Sequence, residues 1–512
     1  MEDDLVNSTL RRVVKGAGIF LIGTFFGLFI GLISRVLVIR YITPYQFGIL
    51  SFAWLIVSVV QTVFSFGIPN ALIRQASVFI GCGETEKAKA VFKVSGYLLL
   101  GLSLLGTLLL ILSADIIAKF FKMPDLGWVL RILAITVPFL ILNFYLISIY
   151  QTFGMAHVKV MFGDVLPNVV KVSAIAVVIL LGLSFYHVVW AYAVPPLIVS
   201  LAFVAYSINK IDLSTKESVG KYVKIIIAFA IPLLIQSILG TIIVWTDSFM
   251  IGYYLTPVDL ALYNGARPLA MLLQQILIAV NFMYFPLASQ LFGQRRMKEI
   301  GRTYAVVTKW LTSATLPAFL VMFLFPKTVL WVLYGSKYVD SYTVLRILAL
   351  GSFIHILFGP NGMTLIIFGE TGFVTLVNTI VAMTNFVLNL FLIPRFGIDG
   401  AAVASALVYI MSNNVVSLRL YTKYKIHPFT KNYIKPLVVS SVAVALIYSI
   451  AEKFKLGLVS LVVLFVIFVG VYFVSLLITK SFDKEDIMLL QAMEDRLGLN
   501  LSLIKKILRK FI

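Results

Sequence analysis

The sequence predicts an all-α, polytopic membrane protein of about fourteen transmembrane helices, and three observations carry that reading. Of the 512 residues, 61% are hydrophobic and 12% charged, with a mean hydropathy of +1.01, whereas a soluble domain carries roughly 25% charged residues. Apolar stretches recur from Gly16 almost to Thr479, each long enough to cross a hydrocarbon core of about 30 Å at about 1.5 Å per residue. Segments such as Leu98 to Leu112 are apolar on every side, which suits a helix in lipid and not a barrel strand of about ten alternating residues. Backbone groups in a bilayer must find internal partners, so these stretches are helices.

The predicted spans begin with Gly16–Arg40, Phe47–Phe66, Phe92–Ser113, Gly127–Gln151, Asp164–Leu183 and His187–Ile208. The first follows Arg11, Arg12 and Lys15 but is too long for the apolar region of a signal peptide, so it is retained as a span. After the polar segment Asn209–Gly220 come Lys224–Thr246, Val258–Met283, Thr303–Phe325, Tyr342–Phe368, Val374–Ile393 and Gly400–Leu420. Ile434–Ala451 and Gly457–Ile478 form a further pair. The expected organisation is an N-terminal six-helix lobe (1–215), a C-terminal six-helix lobe (216–425), an additional helix pair (426–480) and a cytoplasmic tail (481–512). In that tail Leu503, Ile504, Ile507, Leu508 and Phe511 alternate at helical spacing with Lys505, Lys506, Arg509 and Lys510, the pattern of an interfacial amphipathic helix on an anionic leaflet.

Lys and Arg placement sets the expected orientation. With the N-terminus cytoplasmic, inner segments hold 29 of the 42 basic residues and outer segments 8. Both termini are expected inside, and the formal charge of +20 reads as topology and attraction to anionic headgroups rather than nucleic-acid binding. The two sets of six spans repeat one another. Tyr41-Ile42-Thr43-Pro44 recurs as Tyr254-Leu255-Thr256-Pro257, and Val129-Leu130-Arg131-Ile132-Leu133-Ala134 as Val344-Leu345-Arg346-Ile347-Leu348-Ala349, at offsets of 213 and 215 residues. Phe153-Gly154 matches Phe368-Gly369 in the second register. An even number of spans per repeat gives both the same orientation, related by an axis along the membrane normal.

On these residues the chain resembles the multidrug/oligosaccharidyl-lipid/polysaccharide exporter superfamily, in its branch of O-antigen and lipid II type flippases. The resemblance covers about Val13 to Leu420. It rests on the double repeat, on Tyr41 to Gly48, and on the passage from Asn378 through Asn385, Asn389 and Ile393-Pro394-Arg395-Phe396-Gly397-Ile398 to Gly400-Ala401-Ala402. It implies two six-helix lobes around a cavity that opens to each leaflet in turn, with a substrate headgroup in the cavity and its lipid tail in the bilayer.

Ionisable groups within spans are costly and mark function by default. Arg267 sits about nine residues into the eighth span, roughly 13 Å from its outer end and too deep for easy snorkelling. Arg35 lies about five residues from the outer end of the first span and could snorkel instead; Lys171 could meet a headgroup or pair with Asp164. Asp247 is the carboxylate placed to neutralise Arg267, or merely to close the seventh span. Repeat-related Arg131 and Arg346 lie near helix ends and read as interfacial anchors. Gln61, Gln236, Gln274 and Asn281, with Asn143, Gln275, Asn378, Asn385 and Asn389, could bind sugar hydroxyls or join helices. Pro138, Pro167, Pro232, Pro286, Pro317 and Pro360 permit kinks within spans.

The leading expectation is a monomeric flippase carrying a polyprenyl (di)phosphate-linked oligosaccharide from the cytoplasmic to the outer leaflet of the cell membrane, with Arg35, Lys171 and Arg267 as a cationic path. The alternative is a cation-coupled multidrug exporter of the same superfamily, disfavoured because the first span has no carboxylate and Asp164 and Asp247 sit near helix ends. An enzyme is not expected. The longest internal loop offers only Glu84 and Glu86 as acids, and His157, His187, His355 and His427 are scattered. No metal or cofactor is expected, since Cys82 is the single cysteine and has no ligand-type neighbours. A channel fits poorly, with no filter-like loop or repeated ring of charge.

Overall fold

A computed structural model describes residues 23–451 and 457–481. The first residues of the opening span and the whole amphipathic tail lie outside the described residues. Among those described there are helices and no strands.

Twelve of the helices are long and apolar enough to cross a membrane, or thirteen when one bent pair counts as a single span. The expectation of about fourteen therefore meets twelve or thirteen by length and composition, and the difference lies in where breaks are counted. By packing, the chain falls into two units, Met1–Ala261 and Leu262–Ile512.

The first unit opens with α1 (Gly23–Tyr41). There follow α2 (Pro44–Phe64), α3 (Ile68–Gly81), α4 (Thr85–Phe120), α5 (Leu126–Ala134) and α6 (Thr136–Thr152). The bent pair is α5 and α6, at 40°; Pro138 cannot donate to the carbonyl of Ala134, which is where the ladder breaks. A short α7 (Ala156–Lys159) leads into a wider π-type turn, Val160–Val165, and α8 (Leu166–Leu180). Pro167 sits in the first turn of α8 and leaves the carbonyl of Gly163 without its helical donor. Next come α9 (Phe185–Ser207), α10 (Gly220–Tyr254) and the start of α11 (Pro257–Gly293). The linker before α10 is pinned to α4: Lys89 pairs with Asp212 at 2.7 Å, and the Lys216 amide donates to Glu86 at 3.2 Å. The ammonium of Lys89 and the hydroxyl of Ser214 hold the Asp212 carboxyl below the usual carboxylate range. α10 opens the second sequence repeat, yet it packs on α2, α3 and α4.

The repeated Thr-Pro turns have a shared cause. Thr43 and Gln46 form a reciprocal capping box at the start of α2, and Thr256 and Asp259 exchange the same pair of bonds at the start of α11, at 3.1 and 3.3 Å. In each case proline stands at the first helical position, where no amide is missed. A Cβ on Gly48 would lie 1.9 Å from the carbonyl oxygen of Pro257, so glycine is what lets these two turns touch. The repeated Phe-Gly pairs end helices, with Gly154 at φ 70° and Gly369 at φ 82°, the left-handed cap that glycine adopts without penalty.

The second unit contains the rest of α11, then α12 (Met297–Leu324), α13 (Pro326–Tyr334), a 3₁₀ turn (Ser336–Ser341), α14 (Tyr342–Leu357), α15 (Asn361–Ile367), α16 (Thr371–Tyr424), α17 (Lys431–Ala451) and α18 (Leu458–Ile478). α16 numbers 54 residues, and a straight helix of that length would set its ends roughly 80 Å apart. Instead Arg419 near its end pairs at 3.0 Å with Glu370 at its N-cap. α16 is a helical hairpin. The reversal is at Gly397 (φ 59°, ψ −140°), a conformation open to glycine, and a Cβ on Gly400 would fall 2.3 Å from the carbonyl of Leu392. The two arms cover the expected spans Val374–Ile393 and Gly400–Leu420, and Ile393-Pro394 to Ala402 is the passage that turns the chain. α17 and α18 pair with each other and pack on α12.

Candidate functional site

Gly23, Gly27 and Gly31 recur every fourth residue and share one face of α1. That face lies on the segment 160–168: a Cβ on Gly23 would fall 2.0 Å from Val160, on Gly27 2.6 Å from the carbonyl oxygen of Asp164, and on Gly31 3.3 Å from the amide oxygen of Asn168. Small residues let the two backbones approach in this way. Thr24 Oγ1 donates to Asp164 Oδ2 at 2.8 Å, and Asn168 Nδ2 donates to the Asp164 carbonyl at 2.8 Å. One turn further along the same stripe stands Arg35, and one turn beyond Asn168 stands Lys171. The register of glycines therefore delivers two cations to one level, close enough for Arg35 to act electrostatically on Lys171 and on Tyr192 of α9. The Lys171 ammonium lies over the Tyr192 ring at 5.6 Å, and Trp54 of α2 meets the same ring edge-on at 5.8 Å.

Four helices, α1, α2, α8 and α9, thus converge on a half-buried patch of Arg35, Trp54, Lys171 and Tyr192. Among the described residues no carboxylate pairs with Lys171, since Asp164 is turned to Thr24. Chemically the patch offers a guanidinium fork, a point-charge ammonium and two amphipathic rings, a set suited to an oxyanion attached to a sugar-like surface.

The other sequence-derived binding residues lie on α2, α10 and α11. Arg267, Gln274 and Asn281 recur at seven-residue intervals on α11 and share a face. Gln274 Nε2 donates to Ser352 Oγ of α14 at 3.0 Å, which makes it a helix-joining residue, and the buried Oδ1 of Asn281 has no hydrogen-bond partner among the described residues. Gln61 is half-buried on α2 and Gln236 exposed in the middle of α10. Asp247 is buried on α10 in the first unit, while Arg267 is half-buried in the second. Arg131 pairs with Asp115, and Arg346 donates to the Phe323 carbonyl at 2.9 Å, so both make structural contacts near helix ends. Asn143 donates to the Phe162 carbonyl at 3.2 Å and Asn389 to Asn385 at 3.1 Å. At the end of the α16 hairpin, Lys423 and Arg419 hold the Glu370 carboxyl down to about 2.

Sequence reasoning missed the two aromatic members of the patch and the glycine stripe that aligns it. Gly-x-x-x-Gly-x-x-x-Gly ahead of Arg35 was the available signal. Lys309, inside the expected span Thr303–Phe325, is buried on α12 and donates to the Ser481 carbonyl at 3.1 Å, at the end of α18.

A family profile described as polysaccharide biosynthesis protein matches residues 13–292, and one described as MatE matches residues 232–391. A probable low-salt glycan biosynthesis flippase, Agl15 of Haloferax volcanii, is 27% identical over 281 residues, 54% of this chain and 57% of that relative. The chain thus spans little more than half of that protein. The uncharacterized membrane protein MJ1068 of Methanocaldococcus jannaschii is 24% identical over 497 residues, covering 91% of this chain and 95% of the relative. Among solved structures, the lipid II flippase MurJ in an inward closed conformation superposes with a TM-score of 0.66 at 16% identity, over 89% of this chain and 97% of that one; at that identity the likeness is one of fold.

Proposed function

Because the chain belongs to the polysaccharide biosynthesis protein family, within the multidrug/oligosaccharidyl-lipid/polysaccharide exporter superfamily, we propose that it is a flippase for an anionic, lipid-linked oligosaccharide. The observation that carries this reading is the patch of Arg35, Lys171, Tyr192 and Trp54. Its sign selects the phosphate or diphosphate linkage, and its rings suit the face of a sugar. Arg267 supplies a third cation on α11. The substrate crosses from cytoplasmic to outer leaflet by alternating access of lobes bounded near residues 215 and 425, with both termini cytoplasmic, in the cell membrane, and the chain works as a monomer. The named relative is described as a probable glycan biosynthesis flippase, which supports transport rather than catalysis. The alternative, a cation-coupled multidrug exporter, is favoured by the MatE match over residues 232–391.

The test is flipping of a fluorescent polyprenyl diphosphate-linked oligosaccharide in proteoliposomes, for the wild type, Lys171→Met and Arg267→Ala, beside uptake of a cationic dye under a sodium or proton gradient. Flipping that is lost in both variants is the expected result. Gradient-driven dye uptake without flipping would overturn the proposal in favour of the exporter.

A further inference from the structure

The break between α14 and α15 lies in the second unit. Gly359 stands there at φ 62°, and because Pro360 has no amide the carbonyl of Ile356 accepts from Gly359 instead, at 2.8 Å. The next two carbonyls are taken up by tyrosines: Tyr433 of α17 donates to that of Leu357 at 3.1 Å, and Tyr304 of α12 donates to that of Phe358. A second set of polar groups meets the same break from α16. Asn413 Nδ2 lies 2.8 Å from His355 Nδ1, Asn361 Nδ2 donates to Asn413 Oδ1 at 3.1 Å and to Ser417 Oγ at 2.9 Å, and Asn361 Oδ1 accepts the Gly362 amide at 2.6 Å. Asn361 and Asn413 are buried at 5% and 1% exposure. In the first repeat, Leu140 and Leu146 stand at the places of His355 and Asn361, so this chemistry belongs to one half only.

We propose that His355, with Asn361, Asn413 and Ser417, is a proton-binding site whose occupancy sets the conformation of the α14–α15 break. An amide nitrogen only donates, so in this network His355 is neutral, with Nδ1 accepting and the proton on Nε2. A proton added at Nδ1 puts two donors face to face at 2.8 Å. The conflict is relieved when Asn413 turns its oxygen to the imidazolium, which gives up the Nδ2 bond to the Tyr409 carbonyl at 2.7 Å and presents Nδ2 to Asn361. Asn361 must then turn its own oxygen to Asn413 and give up the Gly362 amide. That bond holds the first turn of α15, so one proton is converted into a change at the helix break, a two-state element of the kind that carries coupling.

The surroundings leave His355 as the group that titrates here. Tyr409 of α16 stacks on its ring at 5.6 Å. On α12, packed against α14, no ionisable side chain occurs from Trp310 to Phe319, and Lys309 is bound to Ser481. Arg346 lies further back on α14, bonded to Phe323. Lys327 of α13 stands over Tyr342 and Asp399 of α16 bonds Thr343, both at the start of α14, the end remote from His355, where Lys337 and Asp340 of the preceding 3₁₀ turn also lie. Beyond Ser417, Arg419 and Lys423 are paired with Glu370. The polar side chains step from His355 through Asn413 and Asn361 to Ser417, toward that charged end of the hairpin, which is the side from which the proton enters.

The experiment uses the full chain in lipid nanodiscs with the exposed His157, His187 and His427 replaced by Gln, so that His355 alone reports in histidine-selective NMR between about pH 4 and 8. In a Cys82→Ser background, Gly362→Cys, where an added Cβ meets open space, carries a nitroxide that reports the break by electron paramagnetic resonance. The imidazole is expected to titrate, with the nitroxide spectrum changing at the same midpoint and the response lost in His355→Gln. An imidazole silent over that range, or a pH response of the label that persists in His355→Gln, would overturn the proposal. The wild-type imidazole titration decides the matter even where His355→Gln fails to fold.

Discussion

Lys171→Met separates a binding lysine from a structural one, because the two roles predict different signs. Methionine keeps an apolar stem of similar length and removes only the charge. For the empty protein the change is nearly neutral. The contact with Tyr192 at 5.6 Å is near the outer limit of a cation–π interaction and contributes about 0.5 kcal/mol. Its loss is offset by relief of the repulsion from Arg35, so the unfolding temperature should hold or rise slightly. For the bound anion the lysine supplies one charge-assisted hydrogen bond, about 1.5–3 kcal/mol, which is roughly a ten- to hundred-fold loss of apparent affinity. Arg35→Gln should lose affinity on the same scale, and the double variant should lose less than the sum, since both cations grip one group. The assay is binding and flipping of the fluorescent lipid-linked oligosaccharide beside a thermal unfolding curve of the same preparations. A variant whose unfolding temperature and flipping fall together would refute the argument and make Lys171 a packing residue.

Arg267→Ala should abolish flipping with membrane insertion intact, whereas Arg131→Ala, which breaks a half-exposed pair with Asp115, should change stability by less than about 1 kcal/mol and leave transport alone; equal transport losses in the flipping assay would undo the depth argument. Gly48→Ala forces a methyl within 1.9 Å of the Pro257 carbonyl and should destabilise by about 1–3 kcal/mol, read as a lower unfolding temperature in detergent. Glu370 has a folded-state value of about 2 against an ordinary 4.5. A depressed carboxylate contributes stability that is complete above 4.5 and drains away as pH falls through the folded value. Glu370→Gln should therefore lower the unfolding temperature by a constant amount at neutral pH, and the gap should close on acidification; a gap that widens would contradict the pairing with Lys423 and Arg419.

The sequence disclosed what periodicity and composition encode. Every predicted span falls on a helix among the described residues, because eighteen or so apolar residues in lipid have few alternatives. Pro138, Pro167 and Pro360 marked real breaks, since a missing amide acts locally. What stayed hidden depended on alignment between distant segments. Arg35 and Lys171 each looked like isolated charges on their own spans, and only the docking of Gly23, Gly27 and Gly31 on the segment 160–168 brings them to one level. Trp54 and Tyr192 carried no periodic signal at all. The expected partner of Lys171, Asp164, sits about two turns away on the same chain segment, yet the π-type turn at Val160–Val165 rotates it toward Thr24.

The repeat preserved turns and let chemistry diverge, and that division can be tested at its most symmetric point. Gly154 and Gly369 close equivalent helices at φ 70° and 82°, and a Cβ at either position meets nothing within 4 Å. The cost of substitution there is therefore conformational rather than steric. Asparagine tolerates the left-handed region and should be nearly neutral at both sites. Valine should cost about 1–2 kcal/mol at each, and by the same amount, because the backbone requirement is the same. By contrast His355 and Asn361 occupy positions that hold Leu140 and Leu146 in the first half, so exchanging those residues between halves should be tolerated in neither. Unfolding temperatures of the four glycine variants decide the point: unequal losses for valine would mean that Phe153-Gly154 and Phe368-Gly369 share letters without sharing a cap, and the register that relates the two halves would lose one of its three supports.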